Sequence, residues 1–534
     1  MEFNNLHLED AADGVVLVTL DMPGRPFNVF SEDMIDELEA LIDTLAARAD
    51  SWRGVVITSG KNAFMAGADL AMVEGFTTLR HRAAPDAIRA TFSRLSYLLR
   101  RLERLPQTLV AAVDGLALGG GLELAMACHH RVAAIGDKPS LGLPEVLLGL
   151  LPGAGGTQRL PRLTAPAFAA RMLLSGAPVT PQAALDAGLV DRLVPAEALV
   201  ASAVEMAQHS APGARWDQPG WTPPADPTGL LDGADAEAAL LQSGWTDPAV
   251  AHCYPALRAI VNCIREGRGR DFDAAMELEF DQFLGLMLDP VAGNMVNTGF
   301  LAKTAAVRRA RERLGEATHQ PARIALTCAG PVPARLASRL EVVNSADADL
   351  HLGLREVTSE ADSGCAVEAR YAGDFARAQA VELAAAPGES AAQAVAALSR
   401  VGLIPIAVSR TDSGPATRLL QAARRWLTEH AASDEQRAQI ATAIDGAAFF
   451  AAAGLKTHHT ASFEASDHER GLALLAAVAA EAAACVREGL VVAAQDLDVL
   501  AVFVLGFPAW TGGPLRLLED ARRGDVPGLT LPAH

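Results

Sequence analysis

The chain has 534 residues, too many for one ordinary hydrophobic core, and this length predicts about three domains. Half of the residues are hydrophobic, so the chain can bury a large core. The formal net charge is −19, and the sequence has no long basic run. This charge argues against nucleic acid or an anionic membrane surface as a partner. The six cysteines are scattered without a C-x-x-C pair, so we expect a reducing compartment and neither a disulfide framework nor a zinc site.

The N-terminus, residues 1–5, lacks a basic head followed by an apolar core, so no secretory signal is predicted. The long apolar stretches near 108–128 and 472–507 are interrupted by charged residues such as Glu123 and Asp496. We therefore expect no transmembrane segment and a cytoplasmic protein.

The first part of the chain alternates strand and helix patterns. Strands are predicted at 14–20, 54–59, 108–113 and 131–134, and helices at 31–48, opening on a Ser31 cap, and starting within 119–128. This order predicts a layered α/β domain through roughly residue 190.

The rest of the chain changes character. Prolines, tryptophans and acidic residues break the periodicity over 211–249, and a long helical segment follows near 270–316. The remaining sequence is rich in alanine and predicts mostly helix after a short α/β-like start. We therefore predict three parts, namely an α/β domain over 1–200, an irregular connector and helical bridge over 201–320, and a mostly α domain over 321–534.

Two glutamates stand 22 residues apart, each beside a glycine-rich stretch within apolar sequence: Glu123 follows Gly119-Gly120-Gly121, and Glu145 follows Gly142-Leu143-Pro144. A carboxylate in an apolar setting must be paired, hydrogen-bonded or neutralised. Two such groups near one pocket indicate an acid and a base with separated pKa values. The alternative is that each is a buried structural acid. No histidine stands at ligand spacing from either glutamate, so no metal site is predicted.

Two glycine-containing segments could provide backbone donors near these acids. They are Ala66-Gly67-Ala68-Asp69-Leu70 and Gly119-Gly120-Gly121. Free N–H groups from two separate loops that converge on one carbonyl oxygen form an oxyanion hole. Each segment alone is a weak signal, because glycines more often serve close packing.

The combination of AGADL, ALGGGLELAMAC and LGLPEVLLGLLPGAGGTQRLPRL closely resembles the crotonase (enoyl-CoA hydratase/isomerase) superfamily. More narrowly, it resembles the N-terminal half of the multifunctional fatty-acid β-oxidation enzymes. The resemblance implies a crotonase (ββα spiral) domain, with Ala68 and Gly120 supplying the oxyanion-hole N–H groups. It also implies Glu123 as the base that activates water and Glu145 as the proton donor to C2 of a trans-2-enoyl-CoA.

The resemblance also predicts contacts to the substrate. In the early loop Pro23–Asn28, Arg25 is placed to meet a phosphate of coenzyme A, with a solvated surface arginine as the alternative. Ala66, Asp69 and Gly142 are predicted to line the substrate site. Residues 71–100, with Met72, Phe76 and Leu79, are expected to line the acyl pocket, and Lys303 is a further possible contact.

The far C-terminus, Gly506–Leu515, resembles the closing motif of the 3-hydroxyacyl-CoA dehydrogenase half of the same multifunctional enzymes. In this sequence Cys328-Ala329-Gly330-Pro331-Val332-Pro333 stands where the dinucleotide fingerprint is expected, and Arg370 stands where that family has its catalytic histidine, twelve residues before Glu382. A guanidinium cannot act as a base near neutral pH. We therefore predict a degenerate, shortened dehydrogenase-like domain that does not use NAD.

The sequence thus predicts an enoyl-CoA hydratase of acyl-CoA degradation, with coenzyme A present only as part of the substrate and no permanently bound cofactor. A Δ3-to-Δ2 enoyl-CoA isomerase is the nearest enzymatic alternative. A scaffold that docks a thiolase, with secondary hydratase activity, is the alternative from another class, and self-association is also possible.

Overall fold

The computed structural model describes residues 3–11, 14–69, 72–75, 82–232, 235–244, 247–321, 323–328, 333–358, 364–409, 414–431, 433–455, 460 and 462–529. The chain divides into two compact units, Met1–Ala292 and Gly293–His534. Residues 201–320 of the predicted three-part division are therefore shared between the two units.

The first unit contains a six-stranded sheet with the order β1-β2-β3-β4-β6-β8, in which β1 is antiparallel to β2 and the other neighbours are parallel. A small parallel pair, β5 and β7, lies outside it. The strands are β1 Leu6–Asp10, β2 Val15–Leu20, β3 Gly54–Ser59, β4 Thr108–Val113, β5 Ala117–Leu118, β6 His130–Ala134, β7 Leu141–Gly142 and β8 Arg192–Val194.

The first unit also contains helices, of which Leu199–His209 packs against strands β3, β4 and β6. They are α1 Glu32–Ala47, α2 Pro85–Glu103, α3 Gly120–Ala127, α4 Gly156–Leu163, α5 Pro166–Ser175, α6 Pro181–Asp186, α7 Leu199–His209, α8 Ala236–Ser243, α9 Pro255–Gly267 and α10 Phe272–Leu288. Short 3₁₀ helices span Pro144–Leu148, Ala196–Ala198, Arg215–Asp217 and Pro248–Cys253.

The strands and helices predicted for the first 134 residues are confirmed. Strand β4 is buried along its whole length, as its continuous apolar sequence predicts for a parallel strand covered on both faces. Helix α1 begins after Ser31, whose Oγ accepts the N–H of Met34 at 3.2 Å, and its buried residues recur at helical spacing.

Two segments that follow residue 200 are joined to the earlier part of the first unit by charged side chains. The buried side chain of Arg100 on α2 pairs with Asp217 at 2.7 Å and with Asp273 at 2.8 Å. These pairs attach both the irregular segment and helix α10 to the domain that precedes them.

The second unit contains a six-stranded sheet with the order β10-β9-β11-β12-β13-β14, in which only the β12–β13 pair is antiparallel. This sheet occupies more of the sequence than the short α/β-like start that we predicted. Its strands are β9 Arg323–Cys328, β10 Glu341–Val342, β11 Leu350–Glu356, β12 Glu368–Tyr371, β13 Ala380–Ala384 and β14 Ile404–Val408.

Helices make up most of the remainder of the second unit, as predicted. They are α11 Pro290–Val296, which spans the boundary, a π-helix Asn297–Ala302, α12 Lys303–Leu314, α13 Ala334–Ala337, α14 Glu389–Arg400, α15 Pro415–His430, α16 Asp434–Ala443, α17 Ala447–Ala452, α18 Ala465–Arg487, α19 Ala494–Phe503 and α20 Pro514–Arg523. Short 3₁₀ helices span Ser345–Asp347, Phe375–Arg377 and Ala509–Thr511. Within the described ranges, no helix is long and apolar enough to cross a membrane, and no group of acidic, histidine and cysteine side chains is arranged to hold a metal ion.

Candidate active site

Glu123 lies on the first turn of helix α3 and is almost completely buried. Its Oε1 accepts the backbone N–H groups of Ala154 and Gly156, each at 2.8 Å. Burial raises the pKa of Glu123 to about 7, although the two N–H groups and the charge of Arg159 oppose the shift. A carboxyl group with this pKa can accept a proton near neutral pH.

Glu145 lies on the 3₁₀ helix Pro144–Leu148 and differs from Glu123 in its surroundings. Its Oε2 is buried and has no hydrogen-bond partner among the described residues. Its Oε1 lies against Gly119, where an added Cβ would come within 2.6 Å of it. Burial, followed by the charges of Glu123 and Glu279, raises the pKa of Glu145 well above its usual range. The side chain is therefore expected to carry a proton near neutral pH.

The backbone hydrogen bonds between Phe30 and the segment around Ala68 do not use the N–H of Ala68. The N–H of Phe30 donates to the O of Gly67 at 2.8 Å, and the O of Phe30 accepts the N–H of Asp69 at 2.9 Å. This β-bridge is therefore formed by the two residues on either side of Ala68. Gly120 begins helix α3, where an N–H has no partner within the helix.

The two loops that carry Ala68 and Gly120 are in contact. The N–H of Leu118 donates to the O of Met65 at 3.0 Å, and a Cβ added to Gly67 would lie 3.1 Å from the O of Leu118. Gly67 also has a φ of +92°, a conformation that favours glycine. The structure thus brings the two predicted donor segments together.

This close approach allows a test that leaves both carboxylates in place. A Cβ at Gly121 would lie 2.5 Å from the O of Met65, so Gly121→Ala must push the two donor loops apart. Since one oxyanion donor is worth about 10²–10³-fold in kcat, we expect Gly121→Ala to lower enoyl-CoA turnover at least tenfold. Gly285→Ala is the matched control, because no atom of the described residues lies within 4 Å of a Cβ there. Equal activity of both variants would contradict the predicted role of these loops.

The predicted substrate contacts have partners within the protein. Arg25 forms an ion pair with Asp69 while its side chain stays 45% exposed, so other guanidinium N–H groups face outward. The N–H of Ala66 donates to the O of Asn28 at 2.9 Å. Gly142 is buried, and its O accepts the N–H of Gly119 at 2.9 Å, which places Gly142 next to the glycine segment that precedes Glu123.

The predicted acyl-pocket residues and Lys303 remain to be placed. Of the acyl-pocket residues, Phe76 and Leu79 lie outside the described residues, whereas Met72 is partly buried. Lys303 donates to Oε1 of Gln379 at 2.7 Å and lies 4.2 Å from the ring centroid of Phe503, all within the second unit.

A third buried acid, Glu279 on helix α10, was missed by the sequence analysis. It is fully buried, and its Oε1 accepts the N–H of Gly155 at 2.7 Å. Its Oε2 accepts the N–H of Thr157 at 3.1 Å as well as the Thr157 hydroxyl. The helical periodicity contained a signal, because Glu279 falls on the apolar stripe that includes Met276, Phe280 and Phe283.

In the second unit, Arg370 and Glu382 face each other across the antiparallel strands β12 and β13. Arg370 donates to Oε1 of Glu382 at 3.0 Å and to Oε2 of Glu368 at 2.6 Å, and all three side chains are buried. Glu382 also accepts the N–H of Ala416 at 2.8 Å. Each carboxylate is thus paired with a guanidinium. Of the predicted fingerprint segment, residues 329–332 lie outside the described residues.

Comparison with known proteins identifies the part of the chain that holds Glu123 and Glu145. The model of the enoyl-CoA hydratase/isomerase family matches residues 10–216. Residues 10–216 therefore form a crotonase-family domain. This match confirms the family resemblance that the glycine and glutamate motifs predicted, and it includes the four residues Ala68, Gly120, Glu123 and Glu145.

Curated relatives that match this part of the chain are named as alpha subunits of fatty acid oxidation complexes. The chain is 38% identical over 282 residues to a fatty acid oxidation complex subunit alpha from Shewanella amazonensis, covering 52% of this chain and 38% of the relative. It is 37% identical over 288 residues to the protein of the same name from Idiomarina loihiensis, covering 53% and 39% respectively. The matched region thus spans about two fifths of the length of these relatives.

Solved structures similar to this chain include an enoyl-CoA hydratase from Bacillus anthracis, with 28% identity, a TM-score of 0.34, and coverage of 56% of this chain and 95% of that one. They also include a carnitinyl-CoA dehydratase from Mycobacterium thermoresistibile, with 22% identity, a TM-score of 0.43, and coverage of 56% and 90%.

Proposed function

We propose that the chain is an enoyl-CoA hydratase that adds water across the C2=C3 bond of a trans-2-enoyl-CoA. The observation that supports this most directly is the unequal setting of the two carboxyl groups. Glu123 is stabilised as an anion by two backbone N–H groups, whereas one buried oxygen of Glu145 has no partner in the part of the chain that the structure describes. Pairs of acids whose surroundings separate their pKa values divide the roles of base and acid.

In the proposed mechanism, Glu123 accepts a proton from a water molecule whose oxygen forms the new bond to C3. When this bond forms, the π electrons of the double bond move toward the thioester and give an enolate. Glu145 then delivers a proton to C2 of the enolate. The N–H groups of Ala68 and Gly120 stabilise the negative charge on the thioester oxygen. Because the two acids are coupled, they exchange roles when the reaction runs in reverse.

The proposed substrate is an acyl thioester of coenzyme A, held in part by the early loop. Arg25 is bound to Asp69 on one side and exposed on the other, so its free N–H groups can meet a phosphate. Coenzyme A enters and leaves with the substrate, and no permanently bound cofactor is required by this mechanism.

We also propose that the second unit does not transfer hydride to NAD. Glu382 is buried and bound to Arg370 at 3.0 Å, at the position where the dehydrogenase resemblance implies a histidine. Arginine keeps its proton near neutral pH and cannot accept one from a 3-hydroxyl group. The buried ion pair supports a structural role for these residues.

The test is the loss of conjugated enoyl-thioester absorbance when the purified protein is mixed with trans-2-enoyl-CoA substrates of several chain lengths, with NAD added afterwards. We expect hydration with a kcat on the order of 1–10³ s⁻¹ and no formation of NADH. A Δ3-enoyl-CoA supplied in parallel distinguishes isomerisation from hydration.

Formation of NADH would overturn the proposal for Arg370. Conversion of only the Δ3 substrate would indicate an isomerase instead. Absence of turnover together with co-purification of a thiolase would favour a docking scaffold. The first outcome therefore tests the second unit, and each of the other two separates the hydratase from one alternative.

A further inference from the structure

The turn before helix α4 serves two buried carboxylates at once. Its four consecutive backbone N–H groups, from Ala154 to Thr157, alternate between two acceptors. Those of Ala154 and Gly156 donate to Glu123, at 2.8 Å each, whereas those of Gly155 and Thr157 donate to Glu279, at 2.7 and 3.1 Å. Glu279 therefore lies on the opposite side of the same turn that holds the proposed base.

Little space is available for this turn to relax. A Cβ added to Gly156 would lie 2.8 Å from Oε1 of Glu123, and one added to Gly153 would lie 2.8 Å from the ring of Phe283, one turn beyond Glu279 on helix α10. The position of Glu123 is therefore tied to that of helix α10, which lies outside the family-matched residues 10–216.

The charged and titratable groups around Glu279 come from four elements. They are Glu123 on α3, Glu145 on the 3₁₀ helix, Arg159 on α4 and the Cys263 thiol on α9. Arg159 is engaged by Glu103 at 2.8 Å, so its charge is shared with another acid. Burial, followed by the charge of Glu123, raises the pKa of Glu279 to about 8. Glu279 thus changes charge in the pH range in which Glu123 works.

We propose that Glu279 is a positioning residue of the hydration site, which holds the 154–157 turn for Glu123 and, as a third negative charge, sets the alkaline limit of the pH range in which the Glu123–Glu145 pair is active. This inference rests on the proposed hydratase function. Glu279 acts through Glu123 and the turn, without touching the substrate.

The direction of the effect follows from electrostatics. Glu123 has the lower pKa, about 7 against about 8 for Glu279, so Glu279 still carries its proton when Glu123 ionises. Once negative, Glu279 disfavours the ionised form of Glu145, so its removal lowers the pKa of Glu145. The acidic limb of the activity profile requires an ionised base and the alkaline limb a protonated acid. When Glu279 is replaced by a neutral residue, the alkaline limb should therefore move to lower pH while the acidic limb stays in place.

The experiment compares the pH dependence of kcat and KM for the full-length wild type and Glu279→Gln with a trans-2-enoyl-CoA. We expect the alkaline limb of the bell-shaped profile to move to lower pH by about half a unit to one unit in the variant, and the acidic limb to stay in place. We also expect kcat at the optimum to fall about tenfold while KM stays within about threefold. Loss of the turn's position misaligns Glu123 in the transition state but leaves substrate binding unchanged. A lower yield of active protein with an unmoved profile would reduce Glu279 to a structural role and overturn the inference.

Two more variants keep the test decisive. Thr157→Val removes the hydroxyl donor to Glu279 without touching either carboxylate, and should shift the profile in the same direction by a smaller amount. Glu277→Gln lies on the same helix but is half exposed and binds Arg89 at 2.7 Å, so its profile should match the wild type. If Glu279→Gln fails to fold, an unmoved profile in Thr157→Val contradicts the inference.

A measurement without turnover separates this inference from the proposed function. In protein labelled with ¹³C at the glutamate carboxyl carbons, the signal of Glu145 is assigned by its absence in Glu145→Gln. We expect its titration midpoint to fall in Glu279→Gln even if no enoyl-CoA is hydrated. An inactive wild type would overturn the hydratase, whereas an unmoved Glu145 midpoint would overturn the role of Glu279.

Discussion

Replacing Glu145 by Gln is expected to lower kcat for hydration by about 10²–10⁴-fold, with KM changed by less than about threefold. The amide has nearly the shape of the carboxyl group but cannot deliver the proton to C2. The substrate should bind normally, because its coenzyme A and acyl parts do not depend on this proton. Steady-state kinetics with a trans-2-enoyl-CoA provide the measurement.

The same variant should be more resistant to heat at pH 8. In the wild type, burial raises the pKa of Glu145 above its value in the unfolded chain. As the pH rises, the unfolded chain loses this proton freely, whereas the folded protein must either keep the proton or bury a charge. This raised pKa stabilises the fold at low pH, and the benefit is lost as the pH increases above the usual pKa of a glutamate. A Gln has no charge to desolvate, so the melting temperature of the variant should exceed that of the wild type at pH 8 and approach it at pH 5. An active variant, with kcat within threefold of the wild type, would contradict the proposed proton donor.

The second large effect is expected from Glu103→Gln, through stability. Glu103 is buried, and its carboxylate binds Arg159 at 2.8 Å and Arg100 at 2.6 Å. Arg159 is itself fully buried, and removal of its counter-ion leaves a charge in the interior. Breaking such a pair typically costs about 3–5 kcal/mol in the free energy of unfolding. Calorimetry should show this loss as a lower melting temperature of the first unit.

Glu277→Gln is the control for this stability measurement as well. Glu277 is half exposed and binds Arg89 and the hydroxyl of Tyr97, each at 2.7 Å. Surface pairs of this kind contribute about 0–1 kcal/mol. The first unit of this variant should melt within a few degrees of the wild type. If Glu103→Gln were equally harmless, the buried pairs of Glu103 with Arg100 and Arg159 would not contribute to the stability of the first unit.

The local sequence was sufficient to predict the elements that carry the site. Apolar strands such as β4 and the capped helix α1 have short-range signals, because burial pattern and capping depend on neighbouring residues. The glycine and glutamate motifs likewise identified Glu123, Glu145 and the two donor segments. The sheet of the second unit was underestimated, because strands such as β13, Ala380–Ala384, contain few β-branched or aromatic residues.

Sequence alone thus predicted the two acids that we propose as catalytic and the loops beside them, because short motifs with strict backbone requirements specify them. Only tertiary structure decided which groups surround these acids. Glu279 lies 156 residues from Glu123 in the chain, yet both bind the 154–157 turn. Glu103 lies 20 residues from Glu123 and binds Arg159, whose charge also acts on Glu123. Neither spacing indicates these contacts. Charges in a buried cluster act over distances of several ångströms irrespective of chain separation, so the electrostatics of the site exist only in the folded protein.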